Sequence, residues 1–209
     1  MSTKDLILIG AGGHARACIE VIEQSGEFQI KGLVGLSHEV GAERLGYKVL
    51  ATDSELTQLA HEFTYAIISI GQIISSAHRV RLYNLALNAG FTLPTIISPL
   101  AKVSRHASVG MGTIIMHGAI IGPGVTIGDN CIINSGVILE HDTIVEDNCH
   151  LSTRSTINGN VSVGEGTFVG SASVIKEGIT IGANSLVGMG QIVRKSLPTD
   201  SKFLGEFTK

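Results

Sequence analysis

In the run Asn134-Ser135-Gly136-Val137-Ile138-Leu139-Glu140-His141-Asp142, one histidine stands between two carboxylates in a stretch otherwise short of charge. A histidine with an acidic partner is the ordinary equipment of a general base. The carboxylate fixes the imidazole tautomer and raises the basicity of the free nitrogen. An exposed histidine with no role is the competing reading of any single position; the acidic flank favours the base. A second group suited to chemistry follows the apolar Leu6-Ile7-Leu8-Ile9, where the chain reads Gly10-Ala11-Gly12-Gly13-His14. Strand, glycine turn and helix open a nucleotide-binding α/β unit, in which backbone N–H groups and a helix N-terminus face a phosphate. Gly10-x-Gly12-Gly13 lacks the third glycine of the dinucleotide fingerprint, so NAD is not implied. A tight turn without a ligand stays open as the alternative.

These residues must be held by something, and the second half of the chain shows what. From Val103 in steps of six, the residues are Val103, Val109, Ile115, Ile121, Ile127, Ile133, Leu139, Val145, Leu151, Ile157, Val163, Val169, Ile175, Ile181, Val187 and Val193. All are aliphatic, and the register never slips. The residue two places earlier is mostly small, and Gly often comes next. Neither a helix nor an alternating strand places large apolar groups only every sixth residue. A fixed period of this length marks a repeat architecture. The expected form is a parallel β-helix: a flat-sided prism with one short strand per hexapeptide, aliphatic side chains inside, and Gly or Asn at the corners. Coils stack at about 4.8 Å, so about five make a rod on the order of 25 Å long. His141 then lies at a corner, two places past the inward Leu139. His117 occupies the same place four hexapeptides earlier, on a different face, and reads as structural or solvated.

Ahead of the repeats, residues 4–10 read as a buried strand, followed by a helix to Gly26. Further strands are expected near 30–34 and 65–70, the latter ended by Gly71, and a helix over 53–61. The segment 75–89 has helical spacing, with Val80, Leu82, Leu85 and Ala86 on one side and Arg79 and Arg81 more exposed. Residues 91–97 read as a strand leading into Ser98-Pro99. The division expected is an α/β Rossmann-like domain over 1–98, the β-helix over 99–195 and a tail over 196–209. Of the 209 residues 44% are apolar, enough for a large core, and the net charge of −3 argues against nucleic acid. No apolar run approaches the roughly 20 residues of a membrane span. The N-terminus is too short in apolar residues for a signal peptide. Three cysteines give no disulfide framework; Cys131 and Cys149 fall at the small inward position, and Cys18 sits in a predicted helix. A cytoplasmic protein is expected.

The six-residue pattern resembles the left-handed β-helix of hexapeptide-repeat acyltransferases, in which three hexapeptides make one coil. The left hand comes from that resemblance; ordinary parallel crossovers favour the other. Gly-x-Gly-Gly-His-Ala at the head of a small Rossmann-like domain, fused to such a column, is similar to bacterial acetyltransferases of surface-sugar biosynthesis. That group N-acetylates nucleotide-linked 4-amino sugars in bacillosamine and perosamine pathways, and includes proteins described as sialic acid O-acetyltransferases. The likeness spans nearly the whole chain. It implies an acetyl-CoA-dependent enzyme without a metal, acting as a homotrimer on a UDP- or GDP-linked amino sugar. It implies His141 as the base, Asp142 as its partner, and Asn134 and His150 near the acceptor amine and acetyl group. Gly10, Gly12, Gly13, His14 and Gly71 are the candidate acceptor-binding residues. The coenzyme is expected along the outside of the prism near Gly159, Gly170 and Gly188. The amine attacks the thioester, His141 takes the proton, and backbone N–H groups hold the oxyanion. No acyl-enzyme is suggested, because the cysteines face the core. Two stretches depart from the group: Gly35-Leu36-Ser37-His38-Glu39 stands where a run of Asp is usual, and the tail Gly205-Glu206-Phe207-Thr208 lacks Gly-x-Pro-Ala.

Three rivals remain at this stage. A zinc enzyme on the same prism needs histidines converging on one edge. His117 and His141 are a coil and a face apart, and His150 is half a face out of phase with His141. A trimeric nucleotide-sugar-binding protein without catalysis would bind no acetyl-CoA. Sialic acid O-acetylation would use the same frame on a hydroxyl; the glycine turn, suited to a phosphate-bearing acceptor, favours the amine.

Overall fold

The computed structural model describes residues 4–205. Glu206, Phe207 and Thr208 of the tail lie outside them. The N-terminal part is a five-stranded sheet formed by β1 (Lys4–Ile9), β2 (Phe28–Val34), β3 (Glu43–Arg44), β4 (Tyr47–Ala51) and β5 (Tyr65–Ile68), in the order β3-β4-β2-β1-β5. All pairs are parallel except β3 with β4. Alternation sends Leu6 and Leu8 to one side, against Ala15, Ile19 and Ile22 of helix α1 (Gly13–Ser25). Ile7 and Ile9 face the other side, against Leu56 and Leu59 of α2 (Leu56–Leu59) and Leu82 and Ala86 of α3 (Ala77–Ala89).

Several elements differ from the pattern reading. The helix expected over 53–61 is a 3-10 turn, Asp53–Glu55, running into the single turn of α2. The strand expected over 91–97 shrinks to Ile96–Ile97, which pairs with Ile114–Ile115 of the column. Pro94 has no N–H to give a ladder there. The β3–β4 hairpin was not foreseen: its turn places Leu45 at φ 50 and Gly46 at φ 85, and leucine at the first such position carries no turn signal. Arg79, expected toward solvent, is 1% exposed.

The rest is the β-helix. Its three faces hold seven, six and five parallel strands. The first runs from Ile96–Ile97 through Ile132–Ile133 and His150–Leu151 to Lys202–Phe203, so the tail joins the column. The second includes Ile138–Leu139 and Thr156–Ile157, and the third Thr126–Ile127 and Ile144–Val145. Ile120 pairs with Ile138, eighteen residues on, which makes each coil three hexapeptides. All sixteen repeating aliphatic residues share one interior, with Val103 and Val109 partly buried at the first turn. Cys131 and Cys149 are in that interior.

The corners work differently from the simple expectation. From Val109 to Val187 the residue in the left-handed region is the third after each aliphatic, as at Asn130 (φ 55), Asp142 (φ 57) and Asn148 (φ 60). Its N–H donates to a carbonyl of the preceding coil, as from Asn130 to Met111 at 2.8 Å. The glycine directly after the aliphatic has another cause. A Cβ at Gly164 would lie 2.5 Å from the Ala183 nitrogen of the next coil.

Because the interior is a single file of coils, a cavity cannot be filled from the side. Leu151→Ala, at a fully buried site, is expected to cost about 2–5 kcal/mol in urea unfolding, with the coil register kept.

Candidate active site

His141 and Asp142 turn the edge between the second and third faces. Asp142 adopts left-handed backbone and donates its N–H to the Pro123 carbonyl at 3.1 Å. That pins its carboxylate, whose Oδ2 accepts from His141 Nδ1 at 2.9 Å. With Nδ1 carrying the proton, Nε2 is left as the free base. Both side chains are largely exposed, at 61% and 67%. The neighbouring coils leave room for them on purpose-made glycines. A Cβ at Gly159, one coil on, would stand 2.5 Å from His141 Nε2, and one at Gly124, one coil back, would collide with Asp142 Oδ1. Of the two carboxylates flanking His141, only that of Asp142 bonds it among the described residues.

A second cluster lies where the N-terminal part meets the first face. His150 Nδ1 donates to the Gln72 carbonyl at 2.7 Å, and Nε2 stands 3.3 Å from Asn134 Nδ2, placed to accept from it. The ring packs edge-on to Phe168 and lies 6.4 Å from the His14 ring. A Cβ added at Gly71 would lie 3.9 Å from His14 Cβ. Burial pushes His150 down to about 4, the Gln72 carbonyl opposing and the Arg79 charge assisting. Burial, then Arg79 and His150, hold His14 at about 3. Both are therefore neutral at pH 7. His14 Nε2 is buried and has no hydrogen-bond partner among the described residues.

Arg79 organises this junction. Its guanidinium donates to the carbonyls of Ile68 (2.8 Å) and Ile70 (2.7 Å) at the end of β5, and of Asn130 (3.0 Å) on the column. Gln72 adds a bond from Nε2 to the Asn148 carbonyl. Sequence reasoning missed both residues. For Arg79 a signal existed, since 79, 82, 83 and 86 follow helical spacing and Leu82, Tyr83 and Ala86 are all buried.

A cavity of about 320 Å³ opens at the C-terminal ends of the strands, the usual ligand position in open α/β sheets. Gly10 and Gly12 line it, with Gly35, Leu36, Ser37 and Glu39 after β2, Thr52 and Asp53 after β4, and His78 and Arg81 from α3. Glu39 is the acidic residue of the loop after β2. Its carboxylate accepts from the Leu36 N–H at 3.0 Å and from Arg44 at 2.9 Å, which hold it below the usual carboxylate range. Arg44 also donates to the Ala11 carbonyl, tying the β3–β4 hairpin to the glycine turn.

The predicted residues thus fall into separate groups. Gly10 and Gly12 line the cavity; Gly13 begins α1; His14, Gly71, Asn134 and His150 gather at the junction. His141 and Asp142 stand on the edge opposite the first face, across the column. Gly159 is under the His141 ring, and Gly170 and Gly188 lie on a different edge, where backbone of the following chain crowds them. His117 bonds Ser98 Oγ through Nδ1 at 2.6 Å, a structural role. Among the described residues no group of three or more His, Cys, Asp or Glu is arranged to hold a metal ion, and no helix is long and apolar enough to cross a membrane.

Residues 5–84 match the PglD N-terminal domain, 106–141 and 125–159 the bacterial transferase hexapeptide (six repeats), and 160–195 the hexapeptide repeat of succinyl-transferase. A mutant of perosamine N-acetyltransferase from Caulobacter crescentus, solved with CoA and GDP-perosamine, superposes with a TM-score of 0.91 at 33% identity, over 98% of this chain and 95% of that one. The chain belongs to the hexapeptide-repeat sugar acetyltransferases with a PglD-type N-terminal domain. The acetyltransferase domain of PglB from Neisseria gonorrhoeae, solved with acetyl coenzyme A, is similar to this acetyltransferase with a TM-score of 0.89 at 26% identity, covering 98% and 97% of the two chains. WeeI from Acinetobacter baumannii shares the fold at 20% identity and a TM-score of 0.76, covering 97% of each chain. Comparison of the sequence with curated proteins gives no match. The left-handed β-helix expected from the hexapeptides is the column of this acetyltransferase.

Two predictions follow from this geometry. Gly159→Ala should displace the His141 ring and lower kcat roughly 10-fold or more, with the melting temperature little changed; kinetics beside thermal unfolding reads both. His14 and His150 have folded pKa values of about 3 and about 4, against 6.5. The unfolded chain therefore binds more protons below about pH 6.5, and the stability these neutral rings contribute is lost as pH falls toward 4. Between pH 7 and pH 5 the loss should be on the order of 1–2 kcal/mol per histidine, seen as a falling melting temperature that His150→Gln makes shallower.

Proposed function

We propose that the protein transfers the acetyl group of acetyl-CoA to the amino group of a nucleotide-linked 4-amino-deoxy sugar, UDP- or GDP-bound, in surface-glycan synthesis in the cytoplasm. The observation that carries this is the order of features along the C-terminal edge of the sheet. Side by side, at roughly 4.8 Å per strand, come the loop after β4, the loop after β2, the glycine turn after β1 and the loop after β5. The last of these ends on the column at Asn148 and His150. A nucleotide sugar fits that line with its nucleoside over β4 and β2, its diphosphate at the turn and its sugar toward His150 and Asn134. The neighbours' ligands, acetyl coenzyme A in one and CoA with GDP-perosamine in the other, support the same pair of substrates.

The acceptor amine needs a base at the sugar end, and His141 stands on the far edge of its own column. The reading is completed by a cyclic trimer, in which one subunit's His141 edge meets the junction cluster of its neighbour. Ile120, Val174 and Ile192 leave apolar side chains exposed on the second face, as an interface between columns requires. In that setting the deprotonated amine attacks the thioester carbonyl, His141 Nε2 takes a proton as nitrogen becomes cationic, and Asp142 stabilises the imidazolium. The C–S bond breaks, and coenzyme A leaves as the thiol by taking that proton from the imidazolium. Below His141 on its edge, Lys176, Arg194 and Lys195 are exposed and outside the ion pairs of the described residues. They lie two to three coils away, about 10–14 Å, and suit the coenzyme's phosphates.

His141→Ala should lower turnover by roughly 10² to 10⁴ with the trimer intact by light scattering. Refolding it together with His150→Ala should restore about a quarter of wild-type activity, since mixed trimers re-create intact interfaces. No recovery in the mixture, or a monomer in solution, would reject the shared site.

A further inference from the structure

We infer that the base carried by the acceptor is guanine, read by Asp53 and Arg81; this rests on the nucleotide-sugar reading above. The nucleoside end of the cavity holds two carboxylates. Glu39 is committed, with one oxygen on the Leu36 N–H and the other on Arg44. Asp53 is not: only Oδ2 is engaged, accepting from Arg81 at 2.8 Å, and Oδ1 is bonded to nothing among the described residues. Both Asp53 and Arg81 line the cavity, and both are partly exposed, at 40% and 49%. They form a side-by-side acceptor and donor on the cavity wall, open to a base edge.

The order of groups on that edge decides among the bases. Guanine offers O6 as an acceptor next to two donors, N1–H and N2–H. Arg81 would serve O6, and the Asp53 carboxylate would take both donors, as charged side chains read base edges elsewhere. Uracil has a single donor between two acceptors, so its second carbonyl would face the carboxylate. Cytosine has one donor beside two acceptors, and leaves the carboxylate half used. A carboxylate facing a carbonyl oxygen is a repulsion, so the pair both selects guanine and rejects uracil. His78, one helical turn before Arg81 on α3, and Leu36 flank the same space.

Calorimetry with GDP, inosine diphosphate, UDP and CDP tests this on the full chain. GDP should bind roughly 10- to 100-fold more tightly than UDP or CDP. Inosine diphosphate, which lacks only the N2 amine, should fall between them. Asp53→Asn should collapse the GDP-to-UDP ratio toward unity, and Arg81→Met should weaken GDP more than UDP; thermal unfolding of each variant checks that it is folded. UDP binding as tightly as GDP, or a ratio that survives Asp53→Asn in a folded variant, overturns the guanine assignment and leaves the nucleotide-sugar reading standing. Failure of all four nucleotides to bind overturns both.

Discussion

One constraint governs this molecule: each coil must close in eighteen residues. The interior admits one aliphatic side chain per face per level, and each edge needs a left-handed residue whose N–H reaches the coil before it. Glycine, asparagine and aspartate tolerate that conformation at least cost. Asp142 therefore meets two demands with one side chain. Its backbone turns the edge while its carboxylate holds His141, so the orientation of the imidazole and the closure of the fold are the same event. An imidazole held this way has a partner whose backbone is fixed by the coil itself.

The junction between the two halves obeys a different logic. There a buried guanidinium, with no carboxylate, is held through Nε and Nη1 by three carbonyls drawn from both halves, while Nη2 has no partner among the described residues. A buried cation without its partners is costly, so Arg79 makes the angle between sheet and column hard to change. The same charge helps keep His14 and His150 neutral.

The column could be read almost completely from spacing alone, because a period of six has no other physical explanation and every aliphatic position points inward. His141 and Asp142 were legible for the same reason: charge is rare against so regular a background. The N-terminal part was less so. Leu45 in a left-handed turn hid the hairpin, and Pro94 cut a strand that local composition favoured. The charge of Arg79 points to the surface, whereas its place on the buried stripe of α3 points inward, and the structure follows the stripe. Residue type proposed the parts of the site. Only topology could show that His141 and His150 sit on opposite sides of one chain, since a linear pattern carries no information about which edge faces a neighbour.

The column also has an open end. Lys202–Phe203 completes the last coil, and nothing among the described residues stacks on it. A flat layer of unpaired strands is a template on which another such end could dock. Arg194, Lys195 and Lys202 ring that terminus. Like charges brought face to face make the head-on contact of two such ends unfavourable, in the way charged side chains blunt an exposed strand edge.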